Sequence, residues 1–474
     1  MEVPRRRWTL GLIVTTATIA SLFAGRQLSG QTPPLSSGPM SGEVETVETT
    51  PRLFSGPKGE TLRLSYRRDP SGAAGIVVAT SLAGGDWKTL VEIIPQEKDV
   101  TAGSADLALG PEGQLTVAYQ WWRHMPTSGK QIRLARSTDG GKTWIQPETP
   151  LDTSGKAFTP KVVWGRNQSV VVVWADEQRS NRVWDVYARR SPDGGVTWEA
   201  EQLLSRFVQN SPTDAYIRPE IVADGEQTVW VAWVGIRSGR SRLFLSRSTD
   251  AGHTWTDPLE LSGQSQSVFG QRILRSGQDL LIIWQDKRTG RDRLFAVNSS
   301  DGGVTWSAPT RVDHLPDDLQ TDAFAPAVVM SPTREAIVIW HDGRHGRDDI
   351  FFGRSGDGGR TWDAKDVRLD MDEAGTAMSR FATVARAPDG RIAVAWEDDR
   401  AGYEGVYLRV RSAGSQPSWG AEIQVEGAGT KKAARQVALL WTGDGSLQVA
   451  WEAWNYRGGP LAVTKRIDGR RLRP

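Results

Sequence analysis

An eight-residue pattern, S-x-D-x-G-x-T-W, occurs five times in this chain at intervals of just over fifty residues. The copies end ARSTDGGKTW (135–144), RRSPDGGVTW (189–198), SRSTDAGHTW (246–255), SSDGGVTW (299–306) and RSGDGGRTW (354–362). A fixed period of this length means one supersecondary unit used many times, which has to stack or ring its copies to build a core. The same interval reaches a decayed copy at Trp87 and another at Trp419. A second tryptophan series ends β-branched runs upstream of each motif, in VVVVW, VWVAW, LLIIW, AIVIW, IAVAW and LQVAW. These supply Trp174, Trp233, Trp284, Trp340, Trp396 and Trp451, with Tyr119 in the matching place of LTVAY. The two series account for 13 of the 21 tryptophans, so the repeat explains most of an unusual composition.

Each unit reads as four short strands. A first strand such as PKVVW is followed by a Gly-containing turn and a second strand ending in Trp. A polar loop leads to a third strand such as RLFLSRS; the S-x-D-x-G-x-T-W turn and a fourth strand near PLEL complete the unit. Runs of four to eight residues rich in β-branched side chains are strand signals, and no helical period is sustained. An all-β chain of four-stranded units repeated every 50 or so residues predicts a β-propeller. First strands start near residues 51, 104, 158, 216, 268, 323, 379 and 433, which gives eight blades, with seven as the alternative. The last unit has only three strands, and an open edge invites unwanted pairing. The alternating stretch EVETVET (43–49) is therefore expected to supply the closing strand of the eighth blade.

The repeated motif resembles the Asp-box, or bacterial neuraminidase repeat, of the sialidase superfamily, and the resemblance covers roughly residues 51–467. Chemistry has no use for five identical carboxylates spaced around a ring. A carboxylate accepting N–H groups of its own loop, a glycine supplying positive φ and a large buried indole make a turn fastener instead. Asp139, Asp193, Asp250, Asp301 and Asp357, with Trp144, Trp198, Trp255, Trp306 and Trp362, are assigned that structural role. The family places this box on the face opposite its active site, so function is expected on the other face.

The ends and the bulk charge bound the setting. Arg5, Arg6 and Arg7 precede an uncharged run to Gly25, the order of a signal peptide or N-terminal membrane anchor over 1–26. A Ser/Gly/Pro/Thr-rich linker occupies 27–50, and the propeller is expected over 51–474. Without the first thirty residues the chain has 54 basic against 55 acidic side chains, too balanced for nucleic acid to be the main partner. There are no cysteines, which excludes disulfides and thiolate metal sites. The expected protein is an exported monomer, periplasmic, extracellular or membrane-anchored, that meets the membrane only through an uncleaved N-terminal segment. Its expected partner is a glycan or an extracellular protein.

Departures from the repeat point to function. Four blades carry W-x-D-x-R or a near variant after the second strand (Asp176, Asp286, Asp342, Asp398), which reads as an Asp–Arg brace of the hairpin. Blade two replaces it with Trp121, Trp122, Arg123 and His124, and blade eight with Trp454, Asn455, Tyr456 and Arg457. Aromatic rings beside amide and guanidinium groups suit a sugar, so Trp121, Trp122, His124, Trp454 and Tyr456 are the candidate binding residues. The family resemblance implies a second reading, an exo-alpha-sialidase, whose active site uses three arginines, an Asp acid/base and a Tyr nucleophile. The matching positions are Arg52, Arg218 and Arg272 at first-strand starts, Asp69 in the blade-one loop, and Tyr456. The family's F/Y-R-I-P signature is only approached, by TPRLF (50–54) and YIRPEIV (216–222), and Asp106, Lys161 and Glu220 put mixed charge beside the arginines. No cofactor is expected. The acidic stretches 313–322, 341–349 and 369–373 are the only places that suggest Ca²⁺, and no spacing in them matches a defined Ca²⁺ loop. No metal site is assigned.

Overall fold

The computed structural model describes residues 47–472, apart from residues 57, 69–73, 83–84, 96–99, 124–128, 147–148, 181–182, 207–214, 238–239, 266, 415, 427–432 and 456–458. The described residues form eight antiparallel sheets in sequence order, the blades of a β-propeller. First strands lie at Val47–Ser55, Val100–Leu109, Ala157–Trp164, Ala215–Ala223, Val268–Ser276, Ala323–Met330, Ser379–Arg386 and Ala433–Trp441. These are the starts that the tryptophan register gives, within a few residues. Six sheets have four strands; blades two and eight have three among the described residues. In blade two the outer strand shrinks to one bridge, Arg136 to Ile145.

Each blade is sandwiched between two others, so its second strand is packed on both faces. That is why VVVV, LLII and AIVI read as continuous apolar runs rather than alternating ones. Trp174, Trp233, Trp284, Trp340, Trp396 and Trp451 are among the largest fully buried side chains. The core is correspondingly divided into clusters that each join neighbouring blades, such as Ile282, Trp284 and Phe295 of blade five with Ala232 and Leu243 of blade four.

The closing strand differs from the expectation. Val47, Glu48 and Thr49 pair with Arg68, Arg67 and Tyr66, as the start of blade one's own first strand. That strand does not stop at Pro51 but continues to Ser55 through a bulge between Thr49 and Arg52. A proline in a bulge loses no ladder hydrogen bond, so the strand runs past the residue that read as its start. The propeller thus begins at Val47, inside the stretch read as linker, and the ring closes by packing this strand against the three strands of blade eight. The 3-10 turn Gly469–Leu472 follows blade eight's third strand and buries Leu472 with Trp441 and Leu447. The expected targeting segment, and residues 43–46 of the expected closing strand, lie outside the described residues.

The five boxes share their Ser–Asp–Thr hydrogen bonds, and in the first, third and fourth the tryptophan Nε1 also donates to the glycine carbonyl. In the first, the Ser137 hydroxyl donates to Asp139 Oδ1 (2.8 Å) and accepts from Gly141 N–H (2.8 Å). Lys142 and Thr143 N–H donate to Asp139 Oδ1 (both 2.9 Å), the Thr143 hydroxyl donates to Oδ2 (2.6 Å), and Trp144 Nε1 donates to Gly141 O (3.1 Å). The carboxylate gathers most donors of the turn, and in the second box the same bonds hold Asp193 at a pKa of about 2 against its desolvation. Gly141 has φ 84°, and the corresponding Gly252, at 90°, has Val171 where a Cβ would go.

Candidate functional site

The face opposite the boxes and the channel between first strands are shaped by a feature of every blade. All eight first strands carry a register shift at the same point. In blades two to eight the bulge holds a left-handed residue: Ser104, Thr159, Arg218, Gly270, Ala325, Phe381 and Gln436, with φ between 49° and 66°. Only one is glycine, so six blades hold a side chain in a costly conformation, and the surrounding structure has to fix it. In three blades the fixing group is visible. A second-strand side chain accepts an N–H from the next blade's bulge: Tyr66 Oη from Ala105 (2.8 Å), Gln285 Oε1 from Ala325 (3.3 Å) and Glu397 Oε1 from Gln436 (2.5 Å).

Two residues beyond the left-handed position, side chains of neighbouring blades meet in the channel. Arg52 pairs with Asp106 (2.8 Å), Lys161 with Glu220 (3.3 Å), and Arg272 stands 3.9 Å from Glu220. Around blades one to five the charges alternate in sign. The arginines proposed from sequence are therefore on equivalent strands but do not form one pocket. Arg52 is bound to Asp106 and to the Ala105 carbonyl (3.2 Å). Arg218 and Arg272 are near neighbours. Burial first, and then the Arg272 charge, lower the pKa of Arg218, whose guanidinium makes no hydrogen bond or ion pair among the described residues. Asp69, Tyr456 and His124 lie outside the described residues, as do the side chains of Trp454 and Asn455.

The Trp-x-Asp-x-Arg loops form braces. Trp284 Nε1 and the Arg288 guanidinium both donate to Asp286 Oδ2 (2.9 and 2.6 Å), and Arg288 lies 4.0 Å over the Phe295 ring. Asp342 with Arg344 over Phe351, and Asp398 with Arg400 over Tyr407, repeat the arrangement at 3.8 and 4.3 Å. Sequence spacing finds the Asp and Arg; the aromatic partner comes from the third strand and has no motif. In blade three the Arg179 side chain is outside the described residues, and Asp176 instead accepts from Ser154 Oγ (2.7 Å) and Trp174, its pKa pushed up by burial to about 6.

Blade two lacks the brace, and its rim is the most distinctive part of this face. Trp121 and Trp122 are consecutive on one strand, so their rings point to opposite sides of the blade. Trp121 packs toward the blade-one core with the Arg133 guanidinium 4.4 Å over its ring. Trp122 faces blade three, and Lys130 of its own blade lies 5.7 Å from its ring and 5.6 Å from Phe158 of blade three. A cavity of about 230 Å³ opens beside Trp121, lined also by Arg123, Gly129, Gln131 and Arg133. Gln131 Oε1 accepts from Arg133 Nε and Nη2 (3.3 and 3.0 Å) and so orients that guanidinium. The two tryptophans grouped by sequence thus belong to two different environments.

Two of the acidic stretches, 341–349 and 369–373, bring carboxylates together. Asp349, Asp370 and Asp372 converge, and Arg368 Nη2 donates to all three at 3.1, 2.6 and 2.6 Å. The guanidinium supplies the positive charge at the centre of the group. His345 Nδ1 lies 2.6 Å from Asp349, while His341 is buried between Phe324 and Phe381, its pKa lowered by burial to about 3. Among the described residues no helix is long and apolar enough to cross a membrane.

Comparison with known proteins places this architecture. Residues 67–319, just over half of the chain, match the BNR repeat-like domain. A sialidase of Bacteroides fragilis is 28% identical over 209 residues, covering 40% of this chain and 36% of that protein. An exo-alpha-sialidase of Aspergillus fumigatus is 25% identical over 176 residues, 33% of this chain and 38% of that protein. The matched stretch spans little more than a third of either relative. Among solved structures, an ulvan lyase bound to -[GlcA(1-4)Rha3S]- aligns with a TM-score of 0.49 at 12% identity, over 77% of this chain and 94% of its own.

Proposed function

Because the chain belongs to the BNR repeat-like domain family, we propose that its sialidase-like β-propeller is an exported protein that binds a glycan on the face opposite the Asp boxes. The carrying observation is the blade-two cavity, where the Trp121 indole and the oriented Arg133 guanidinium line one wall. An indole offers apolar area to the C–H face of a sugar, and a guanidinium fork reads a carboxylate or sulfate on it. The favoured ligand is therefore a glycan bearing acidic groups. The cavity is small, which suits one sugar unit of a longer chain.

The rival reading, an exo-alpha-sialidase acting through Asp69, Tyr456 and an arginine cluster, draws support from the two sialidase relatives and from Arg218, whose guanidinium has no hydrogen bond or ion pair among the described residues. Against it stands the channel itself, where Arg52 and Arg272 already have carboxylate partners. A glycan array with the full chain, followed by calorimetry on the best ligand, separates the two. Binding is expected, with Trp121→Ala or Arg133→Ala weakening it about tenfold, the equivalent of roughly 1.4 kcal/mol. Arg218→Ala is expected to change little. Sialoside turnover that disappears in Asp69→Asn or Arg218→Ala would replace the binding reading with the enzymatic one.

A further inference from the structure

On the Asp-box face, between blades six and seven, lies a cavity of about 310 Å³ that none of the repeat's devices explains. Three guanidinium groups reach it from three different elements. Arg354 is the penultimate residue of the third strand of blade six, Arg386 ends the first strand of blade seven, and Arg411 ends the third strand of blade seven. They converge on one carboxylate. Glu335 Oε1 accepts from Arg354 Nε (2.9 Å) and Arg411 Nη1 (3.1 Å), and Oε2 accepts from Arg386 Nη1 (3.0 Å). Three positive charges thus meet on Glu335, and among the described residues Arg354 alone has a second carboxylate nearby, Asp363 at 3.7 Å outside the lining. The other carboxylate of the lining, Asp389, is engaged by Arg391 at 2.8 Å.

Arg354 and Arg386 line the cavity, and the Nη2 of each is not used on Glu335. A Cβ on Gly356 would stand 3.9 Å from Arg354 Nη2, and one on Gly390 would stand 3.5 Å from Arg386 Nη2. Both are ordinary contact distances, so the two glycines form the wall of the cavity beside these donors. Arg411 is buried, its side chain only 7% exposed, so its charge is poorly screened by water. A partly desolvated, net-positive cavity with planar donors is the chemistry that selects small oxyanions.

We propose that this cavity is a second ligand site, which takes a small oxyanion (phosphate, sulfate or the carboxylate of a single acidic sugar) on Arg354 and Arg386, with Glu335 as a built-in competitor that holds the arginines in place. The site is on the face opposite the blade-two cavity and stands or falls independently of it. Glu335 carries its charge at any ordinary pH, since the three arginines hold its pKa at about 2 despite its burial.

The test is calorimetric titration of the full chain at low ionic strength with inorganic phosphate and, separately, with glucuronate. Millimolar or tighter binding of at least one probe is expected, lost by tenfold or more in Arg386→Ala. Glu335→Gln keeps the shape but removes the competing charge, so its affinity should rise several-fold and added phosphate should raise its melting temperature more than the wild type's. Tighter binding of phosphate would identify a bare oxyanion site, and tighter binding of glucuronate a site that also reads the ring. Binding of neither probe, or Glu335→Gln binding no better than wild type while folded by circular dichroism, overturns the proposal. If Glu335→Gln does not fold, Arg354→Gln serves instead. It lies at the cavity mouth and should weaken binding without unfolding the chain; unchanged affinity there would also overturn the site.

Discussion

Glu397 is a carboxyl group that the fold withdraws from water and then uses as a hydrogen-bond acceptor. Burial pushes its pKa up to about 8, its neighbours Glu404 and Glu452 push the same way, and the Gln436 N–H and Arg435 oppose them. An unfolded glutamate titrates near 4.3, so the folded state holds this proton more tightly. The stability it contributes is present in full below about pH 4 and is lost as the pH rises through 8. A glutamine amide oxygen can accept the same N–H without ionising. Urea unfolding of Glu397→Gln should therefore lose less stability than the wild type between pH 5 and 8.5. Parallel pH profiles would show that Glu397 is ionised throughout. The Asp-box carboxylates have the opposite sign: Asp193, held at about 2, supports the fold above pH 4 and stops doing so as the pH falls toward 2.

A blade is a sheet with two apolar faces, and its integrity depends on the turn that returns the chain to its outer strand. In blade four that turn ends in Trp255, buried with Val171, Val173 and Phe244, and its Nε1 donates to Gly252 O (3.2 Å). The ring therefore ties the blade-four box to the second strand of blade three. Emptying a large aromatic site costs about 3–5 kcal/mol. Trp255→Ala should lose stability of that size in denaturant titration and leave glycan affinity per folded molecule unchanged. A stable variant with impaired binding would contradict a purely structural role for the box. The outer strands themselves are short: those of blades three to six are two residues each among the described residues. Short edges offer little to pair with.

At the scale of the ring, the weak point is where its last blade meets its first. Blade eight has three strands among the described residues, and the turn Gly469–Leu472 lies at the Asp-box end of that blade. Leu472, 2% exposed, packs on Trp441 and Leu447, while Arg391 reaches Gly469 O (3.1 Å) and Gly445 O (3.2 Å). Leu472→Ala should lower stability by roughly 2–5 kcal/mol, the range for emptying a buried leucine. Arg470→Ala, at a side chain 85% exposed, should be nearly neutral. Equal, small effects would mean that the end of the chain does not secure the last blade.

What the sequence determined by itself was everything with a period. Strand starts, the blade count, the fastener and the Asp–Arg braces repeat every 50-odd residues, because each copy solves the same local packing problem with the same residue types. What tertiary structure decided was whatever joins one unit to another. The first-strand bulges have no shared residue type, since Ser104, Thr159 and Phe381 occupy the same left-handed position, and in blades two, six and eight a side chain of the preceding blade holds the bulge. The first strand of blade one begins before the start near 51 that the repeat suggests, because a bulge makes the missing N–H of Pro51 harmless. Trp121 and Trp122 are adjacent in sequence and separated in space, because a strand alternates its faces. Arg354, Arg386 and Arg411 are scattered over two blades and reach one carboxylate. Local interactions repeat with the chain and can be read along it; contacts across blades depend on how the ring closes, and no window of sequence contains them.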